Sequence, residues 1–536
     1  MDRLDSALQA WRQLLGPARV LSAPGELAPY TASTSANPVL PLAVLRPRSH
    51  DEVVAVVQRA GEFDMPLYPL STGHNWGYGD ACPSSDGQVI VDLGGMNRIL
   101  EVNPGLAYAV IEPGVTQAQL AGHLAEHRLP LWMDCTGAGP DTSLVGNILE
   151  RGFGHTPYGN RVLHVAGLRI VLADGDTLET GFGHFARASA AHLYPYGVGP
   201  WLDGLFTQSN FGIVTSLGFW LMPQTEVVNH LVASVATFDG IAAVVDALRP
   251  LRMDGTLRSV VHIGNDLRVL SGGMAFPAEL APHGPPLPAS LRSALCAKAG
   301  IGAWTVSAAL YGRAAQVADA RSAIRAAIGG LAKLRFIDDR ALAVGGAAAR
   351  LLGRGKLGAR LAAQVELGRS LLNMNRGIPD GRFLAGAYWR RRGGLPDGFP
   401  LGANPARDGC GMMWLAPVLP LRGADFLRVH ALVEPIFARH GFDLFETFSM
   451  INERTLGGVL TICFDRDDGV ETARAQACYH TAFKQLMEAG YIPYRVGPQS
   501  VAALDNGRDT YWRTVARIKA ALDPQQLIAP GRYQPR

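Results

Sequence analysis

Where glycine falls in this sequence decides where regular structure must stop. In Ser71-Thr72-Gly73-His74-Asn75-Trp76-Gly77-Tyr78-Gly79, three glycines follow the short apolar strand Pro66 to Leu70 and make a loop, not a strand continuation. Small residues in succession leave backbone N–H groups free to face one anion, a nest suited to a pyrophosphate. An ordinary glycine-rich turn between strands has the same look. The loop lacks the spacing of a Walker A sequence or of GxGxxG, which disfavours those nucleotide folds. A second stretch, Ser143-Leu144-Val145-Gly146-Asn147-Ile148-Leu149-Glu150-Arg151-Gly152-Phe153-Gly154-His155-Thr156-Pro157-Tyr158-Gly159, is broken too often for a regular helix to run through it. It reads either as a second cradle or as a structural loop on a sheet. A third, Asp203 to Thr215, is a polar turn entering a β-branched strand, where Gly212-Ile213-Val214 can lay backbone groups against a flat ring.

The chain has 536 residues, more than one hydrophobic core organises, so at least two domains are expected. A 48% hydrophobic and 18% charged composition fits a globular protein with a large interior. The net charge of +3, with no basic stripe interleaved with aromatics, argues against nucleic acid or an anionic membrane as partner. The start, Met1-Asp2-Arg3-Leu4-Asp5, is acidic where a secretory signal is basic and then apolar, and no segment has the apolar length of a membrane span. A cytoplasmic location is the expectation. Six scattered cysteines, Cys82, Cys135, Cys296, Cys410, Cys463 and Cys478, form no CxxC pair and read as buried small apolar residues. No HExxH or clustered Cys/His set marks a metal site.

Along the chain, Leu4 to Leu15 has helical spacing, Pro41 to Pro47 holds a short strand, and Ser49-His50-Asp51-Glu52 caps a helix to Glu62. Short strands at Val89–Leu93, Ile99–Val102 and Tyr108–Ile111 lead through Gly114-Val115-Thr116 to a helix ending near Glu126. Beyond Thr225 the pattern changes to longer strand–helix units, including Leu231 to Val235 followed by Gly240 to Leu248. An alanine- and arginine-rich stretch, Ala314 to Leu371, reads as helical. The boundary is placed near Thr225, with the last residues returning to the first domain.

Taken together, these segments resemble the vanillyl-alcohol oxidase/p-cresol methylhydroxylase family of flavoproteins over nearly the whole chain. The resemblance runs from Gly77-Tyr78-Gly79 through Met96-Asn97-Arg98-Ile99-Leu100-Glu101-Val102-Asn103, Glu112-Pro113-Gly114-Val115-Thr116 and Leu131-Trp132. It continues through Gly146-Asn147, Glu150-Arg151-Gly152, Thr156-Pro157-Tyr158-Gly159, Gln208-Ser209-Asn210 and Trp220-Leu221-Met222-Pro223. Trp414-Leu415-Ala416-Pro417 and Ile528-Ala529-Pro530-Gly531 match in the second half. It implies an α+β, two-domain FAD-binding fold: an FAD domain from residues 1–225 and 498–536, and an antiparallel-sheet cap from residues 226–497. FAD is the implied cofactor, held by Ser71, Thr72, Gly73, His74, Asn75, Gly77, Gly79, Pro140, Ser143, Gly146, Asn147, Arg151, Gly154, His155, Gly212, Ile213, Val214 and Arg532.

Members of the family that act on para-substituted phenols hold the phenolate with two tyrosines and an arginine, and Tyr78, Tyr494 and Arg495 match them. The implied reaction is hydride transfer from a 4-hydroxybenzyl alcohol or 4-alkylphenol to flavin N5, with reoxidation by O2 or another acceptor. The alternative is a flavin oxidase of a non-phenolic specialised metabolite or a sugar alcohol, with Tyr78 and Arg495 holding a different anion or hydroxyl. Relatives of this kind often form dimers, so a homodimer is the expected assembly.

Two departures stand out. Some members attach FAD through a histidine or tyrosine of the cap, but the matching stretch reads Thr455-Leu456-Gly457-Gly458-Val459-Leu460, and glycine cannot form that bond. His74 instead occupies the place of the flavin-linked histidine in 6-hydroxynicotine oxidase and berberine-bridge-type enzymes, which implies covalent FAD. The plainer role is a loop histidine bonded to phosphate. Cys135 reads as an inert thiol, not a second link. The family's catalytic aspartate aligns with Gly137; Asp134 matches a non-catalytic aspartate, which leaves Asp141 as a candidate base or the chemistry without one.

Overall fold

Val89-Ile90-Val91 is apolar at three successive positions because its strand is covered on both faces, and all three residues are fully buried. The computed structural model describes residues 3–36, 38–353, 355–505, 507 and 509–535, so Met1 and Asp2 of the acidic start lie outside it. Val89–Asp92 sits inside a four-stranded sheet in the order Val20–Leu21, Val44–Leu45, Val89–Asp92, Leu67–Leu70. It pairs in parallel with both neighbours. Helices Arg3–Leu15 and His50–Glu62 supply Trp11, Val53, Val56 and Val57 to the same core. The second helix starts where Ser49 Oγ accepts the Glu52 N–H at 3.2 Å.

The far end of the chain completes this sheet. Leu67 N–H donates to Leu527 O at 2.8 Å, and Ala529 N–H donates to Leu67 O at 2.7 Å. Lys519, fully buried on helix Thr510–Leu522, anchors the return by donating to Asp523 Oδ2 (2.5 Å), Ile528 O (2.8 Å) and Asn210 O (2.5 Å). Burial pulls the Lys519 ammonium below its ordinary pKa, against the opposing pull of Asp523.

A second, antiparallel sheet runs in the order Ile99–Asn103, Tyr108–Ile111, Ile213–Trp220, Val165–Val171, Thr177–Glu179. Helices Gln117–Glu126 and Leu144–Leu149 share its core. The second helix is short, as the glycine spacing requires, and ends at Glu150. The loop that follows is clamped by Asp134, which accepts from the backbone N–H of His155 (3.0 Å) and Thr156 (2.8 Å) and pairs with Arg161 Nε at 2.7 Å. Asp134 is therefore a structural carboxylate. A Cβ on Gly154 would overlap it.

The third sheet is antiparallel throughout. Its order is Lys333–Ile337, Val227–Val235, Trp304–Gly312, Val261–Asn265, Phe445–Met450, Thr455–Asp465, Cys410–Leu415, with Val418–Pro420 added along Thr455–Asp465. Strand periodicity splits it into two faces. Leu231, Ile263, Val306, Phe448 and Leu460 point into one core with helices Gly240–Met253, Ala314–Ile328, Gly423–His440 and Gly469–Glu488. The opposite face carries His230, His262, Ser307, Ser449 and Gly457.

One expectation is corrected here. The stretch Ala314 to Leu371 is not one helical run: a helix ends at Ile328, Lys333–Ile337 forms an edge strand, and helices Asp339–Leu351 and Lys356–Asn375 follow. Gly329-Gly330 breaks the first helix. The alternating Lys333-Leu334-Arg335-Phe336-Ile337 then finds ladder partners on Val227–Val235, a gain that local propensity does not register.

The Asp134–Arg161 pair is completely buried on both sides. Arg161→Met strands that carboxylate and should cost about 3–5 kcal/mol of stability, read as a lower urea midpoint of the purified protein.

Candidate active site

The loop from Ser71 to Gly79 leaves the strand Leu67–Leu70 and turns against the cap. Its backbone N–H groups from Thr72 to Trp76 have no acceptor among the described residues, five successive donors with their hydrogens uncommitted. That is the nest a pyrophosphate needs. The neighbouring helix is tied to it, since Ser143 N–H donates to Thr72 Oγ1 at 3.1 Å and Ser71 Oγ stands beside Gly146. Gly77 has φ +73°, and a Cβ there would lie 2.8 Å from Trp414 Cγ, so the loop and the cap strand touch only because that side chain is absent. His74 stacks on Trp76 with ring centroids 4.7 Å apart. Burial pulls its pKa down to about 4, so the imidazole is neutral near pH 7.

Tyr78, Tyr494 and Arg495 come together although more than four hundred residues separate the first from the others in the chain. Tyr78 is 1% exposed, and its ring lies under the Arg495 guanidinium, 4.4 Å from centroid to Cζ. Its hydroxyl faces Tyr494 without an aligned hydrogen bond. Burial pushes the Tyr78 hydroxyl well above the usual phenol range, with the neighbouring Tyr494 adding to the effect. Burial likewise raises Tyr494. Both hydroxyls stay protonated and so can donate.

Arg495 is held by Glu150 Oε2 at 3.1 Å and by Asn75 Oδ1. Glu150 also accepts from Arg532 Nη2 at 2.9 Å and from the Tyr533 hydroxyl at 2.5 Å. Burial alone would raise the Glu150 carboxyl, but Arg532, Arg495 and Tyr533 overcome it and hold its pKa at about 2. Gln208 Nε2 donates to Tyr494 O (2.9 Å), and Tyr494 N–H donates to Ala416 O (3.1 Å), which positions the tyrosine from both domains.

The glycine-broken loop lies over the polar face of the cap sheet. The Phe153 ring is 5.9 Å from Tyr494 and 6.2 Å from His262, and His155 is 4.3 Å from His262. Asn375 Nδ2 donates to His230 Nδ1 at 2.7 Å, which puts the His230 proton on Nε2, 3.3 Å from Ser307 Oγ. Burial lowers all three histidines: His155 to about 3, His230 to about 4, and His262 well below its ordinary value.

The remaining expected residues spread around this centre. Pro140 and Asn147 serve the adjoining loop and helix: Pro140 O accepts from Ala118 N–H (2.9 Å), and Asn147 Oδ1 accepts from Arg161 Nη1 (2.9 Å). Gly212-Ile213-Val214 packs into the second sheet against Val171 and Ile170. Arg151 is exposed and bonded to Thr207. Asp141 is exposed and shares no hydrogen bond or ring contact with Tyr78, Tyr494 or Arg495. All six cysteines are free and buried; the Cys135 thiol, raised by burial, donates to Met374 O at 3.1 Å. Among the described residues, no group of His, Cys, Asp and Glu could hold a metal ion, and no helix is long and apolar enough to cross a membrane. Sequence reasoning passed over Glu150, Gln208, Phe153 and His262 as site residues. Their signals were membership of the glycine-broken segment, of an alternating strand, or, for Glu150 and Gln208, of motifs that carry the family resemblance.

A dinucleotide nest joined to a polar-faced cap defines an FAD-dependent oxidoreductase, and known proteins agree. The family described as FAD binding domain matches residues 41–181. The chain is 38% identical to 1'-carboxy-chondrochloren decarboxylase of Chondromyces crocatus over 99% of this chain and 97% of that protein. It is 31% identical to the 4-cresol dehydrogenase (hydroxylating) flavoprotein subunit of Pseudomonas putida, over 98% and 95% of the two chains. The structure of 4-ethylphenol oxidase from Gulosibacter chungangensis in an isoeugenol complex superposes with a TM-score of 0.88 at 27% identity, covering 99% and 97%. The protein belongs to the vanillyl-alcohol oxidase/p-cresol methylhydroxylase family.

The depressed histidines set a stability signature. His230 is 2% exposed and neutral when folded, whereas an unfolded histidine takes up a proton near pH 6.5. Between about pH 6.5 and pH 4 the unfolded chain binds more protons, so stability falls as pH falls, by up to about 1.4 kcal/mol per pH unit for each such histidine. Thermal melts from pH 7 to 4.5 should show this, and His230→Asn should flatten the slope.

Proposed function

We propose that this enzyme oxidises a para-substituted phenol, whose oxygen is gripped by Tyr78, Tyr494 and Arg495. The buried Tyr78 hydroxyl carries the reading, since it has no aligned partner beside a fixed cation. A phenol of pKa about 10 costs roughly 4 kcal/mol to ionise at pH 7. Two protonated tyrosines and a guanidinium can offset that through charge-assisted hydrogen bonds. Arg495 is kept rigid by Glu150 and Asn75, so its orientation is set before substrate arrives.

FAD bound along the nest supplies the two-electron acceptor for a hydride leaving the carbon attached to the ring. The phenolate drives that departure, so the residues here need only hold the oxygen charge and exclude water. Gly137 offers no base, and a Cβ there would lie 3.3 Å from Phe383 Cβ. The exposed Asp141 is not required in this scheme. We also assign His74 as the covalent link to the flavin, because it is neutral, lies in the nest and makes no hydrogen bond among the described residues.

A second reading is oxidative decarboxylation of a phenol that carries a carboxylate. It is favoured by Gly137, which leaves no base to activate water, and by the 38% identity to a decarboxylase. Hydride leaves with one electron pair, CO2 departs, and the pair from the broken C–C bond becomes a new double bond.

Anaerobic titration with 4-alkylphenols and 4-hydroxybenzyl alcohol should bleach the flavin absorbance; a response to polyols alone would overturn the phenol reading. Tyr78→Phe should slow this reduction about 10- to 100-fold. Denatured wild-type protein should stay yellow, whereas His74→Ala should release all its flavin into the supernatant.

A further inference from the structure

Arg268 differs from the other interior arginines. Arg161, Arg252, Arg292, Arg495 and Arg532 each meet a carboxylate or backbone carbonyls. The Arg268 guanidinium has no hydrogen-bond or ion-pair partner among the described residues. Burial pulls it below the ordinary arginine value, with the Cys463 thiol as the neighbouring titratable group that works against this. Arg268 is part-buried, so its guanidinium keeps some access to solvent while having no counter-charge among the described residues, which leaves it open to an anionic ligand.

Its position is set by the cap sheet. Helix Asp266–Leu270 leaves the strand at Asn265, whose Oδ1 accepts the Arg268 N–H at 2.9 Å. The aliphatic stem crosses Gly264, where a Cβ would lie 3.5 Å from Arg268 Cγ. The charged end reaches the segment Gly381–Tyr388: a Cβ on Gly386 would be 2.8 Å from Nη1 and 3.1 Å from Ser271 Oγ. Gly264 follows His262 by two residues, so both belong to the same sheet face. That face meets Phe153 and His155, and Phe153 in turn meets Tyr494.

The charge balance then points to a ligand. At the phenol end, Arg495 and Arg532 share one carboxylate, Glu150, which leaves one net positive charge for a phenolate. Arg268 adds a second positive charge with no ion-pair partner among the described residues. We infer that Arg268 binds a carboxylate on the substrate's para side chain, so that the substrate is a phenol bearing an acidic side chain. This rests on the phenol reading above. It also accounts for the opening at Gly386, where a side chain would crowd the guanidinium.

The test compares 3-(4-hydroxyphenyl)propanoate with its neutral amide, using anaerobic stopped-flow reduction of the flavin-loaded enzyme to obtain Kd for each. Wild type should bind the acid at least about tenfold more tightly. Arg268→Met should erase that preference while leaving the amide within about twofold, and Arg268→Lys should keep part of it. The melting temperature of Arg268→Met should not fall, since an unpaired, part-buried charge has been removed, and its flavin should bind sulfite as wild type does. Full retention of the preference in Arg268→Met, or its absence in wild type that still binds the amide, overturns the assignment. A selective loss of sulfite affinity with the preference intact assigns the arginine to the flavin and overturns it too. Failure of both phenols to bind wild type, while a non-phenolic substrate bleaches it, sinks the phenol reading itself.

Discussion

The Glu150 carboxylate is the junction of the molecule. It stands at the end of helix Leu144–Leu149, accepts from Arg495 of the cap sequence, and accepts from Arg532 and Tyr533 of the chain's return. Three stretches far apart in sequence therefore meet on two oxygen atoms. The two guanidinium groups outweigh the desolvation of the carboxylate and keep it ionised. An isolated buried ion pair contributes little net stability, but a shared one fixes relative position. Here it fixes the cation under which Tyr78 lies.

The same economy governs the cap sheet. Period-two alternation gives it one apolar face, covered by four helices, and one face of histidine, serine and glycine. A polar face next to a second domain is tolerable only if each group finds a partner or a ligand. Most do: His262 Nδ1 meets Ser449 Oγ at 2.8 Å, and His230 is bonded on both nitrogens. Among the groups without an aligned partner near this face are the Tyr78 hydroxyl and His262 Nε2, and the Arg268 guanidinium, part-buried, has no ion-pair partner among the described residues.

Much of this was legible beforehand because it is local. The cap at Ser49, the helix after Thr116 and the strand at Val89 depend on residues within a turn of one another. The glycine loop announced itself as a nest because glycine takes the left-handed conformation of Gly77 with least strain. The misread stretch at Ala314 to Leu371 failed for the opposite reason. An edge strand such as Lys333–Ile337 owes its existence to a partner a hundred residues earlier, and alanine-rich flanks hide it.

By itself, the sequence determined where the backbone must turn, which faces are apolar and which loop leaves backbone N–H groups free for an anion, since these follow from covalent geometry and periodicity; the phenolate residues it offered only through the family resemblance. Only the tertiary structure decided which of those groups are already satisfied. It made Asp134 a clamp, left Asp141 in solvent, gave Arg495 a carboxylate and left Arg268 without one. Satisfaction of a buried polar group depends on what lies within about 3 Å of it, and that distance is set by packing between segments that the chain order keeps far apart.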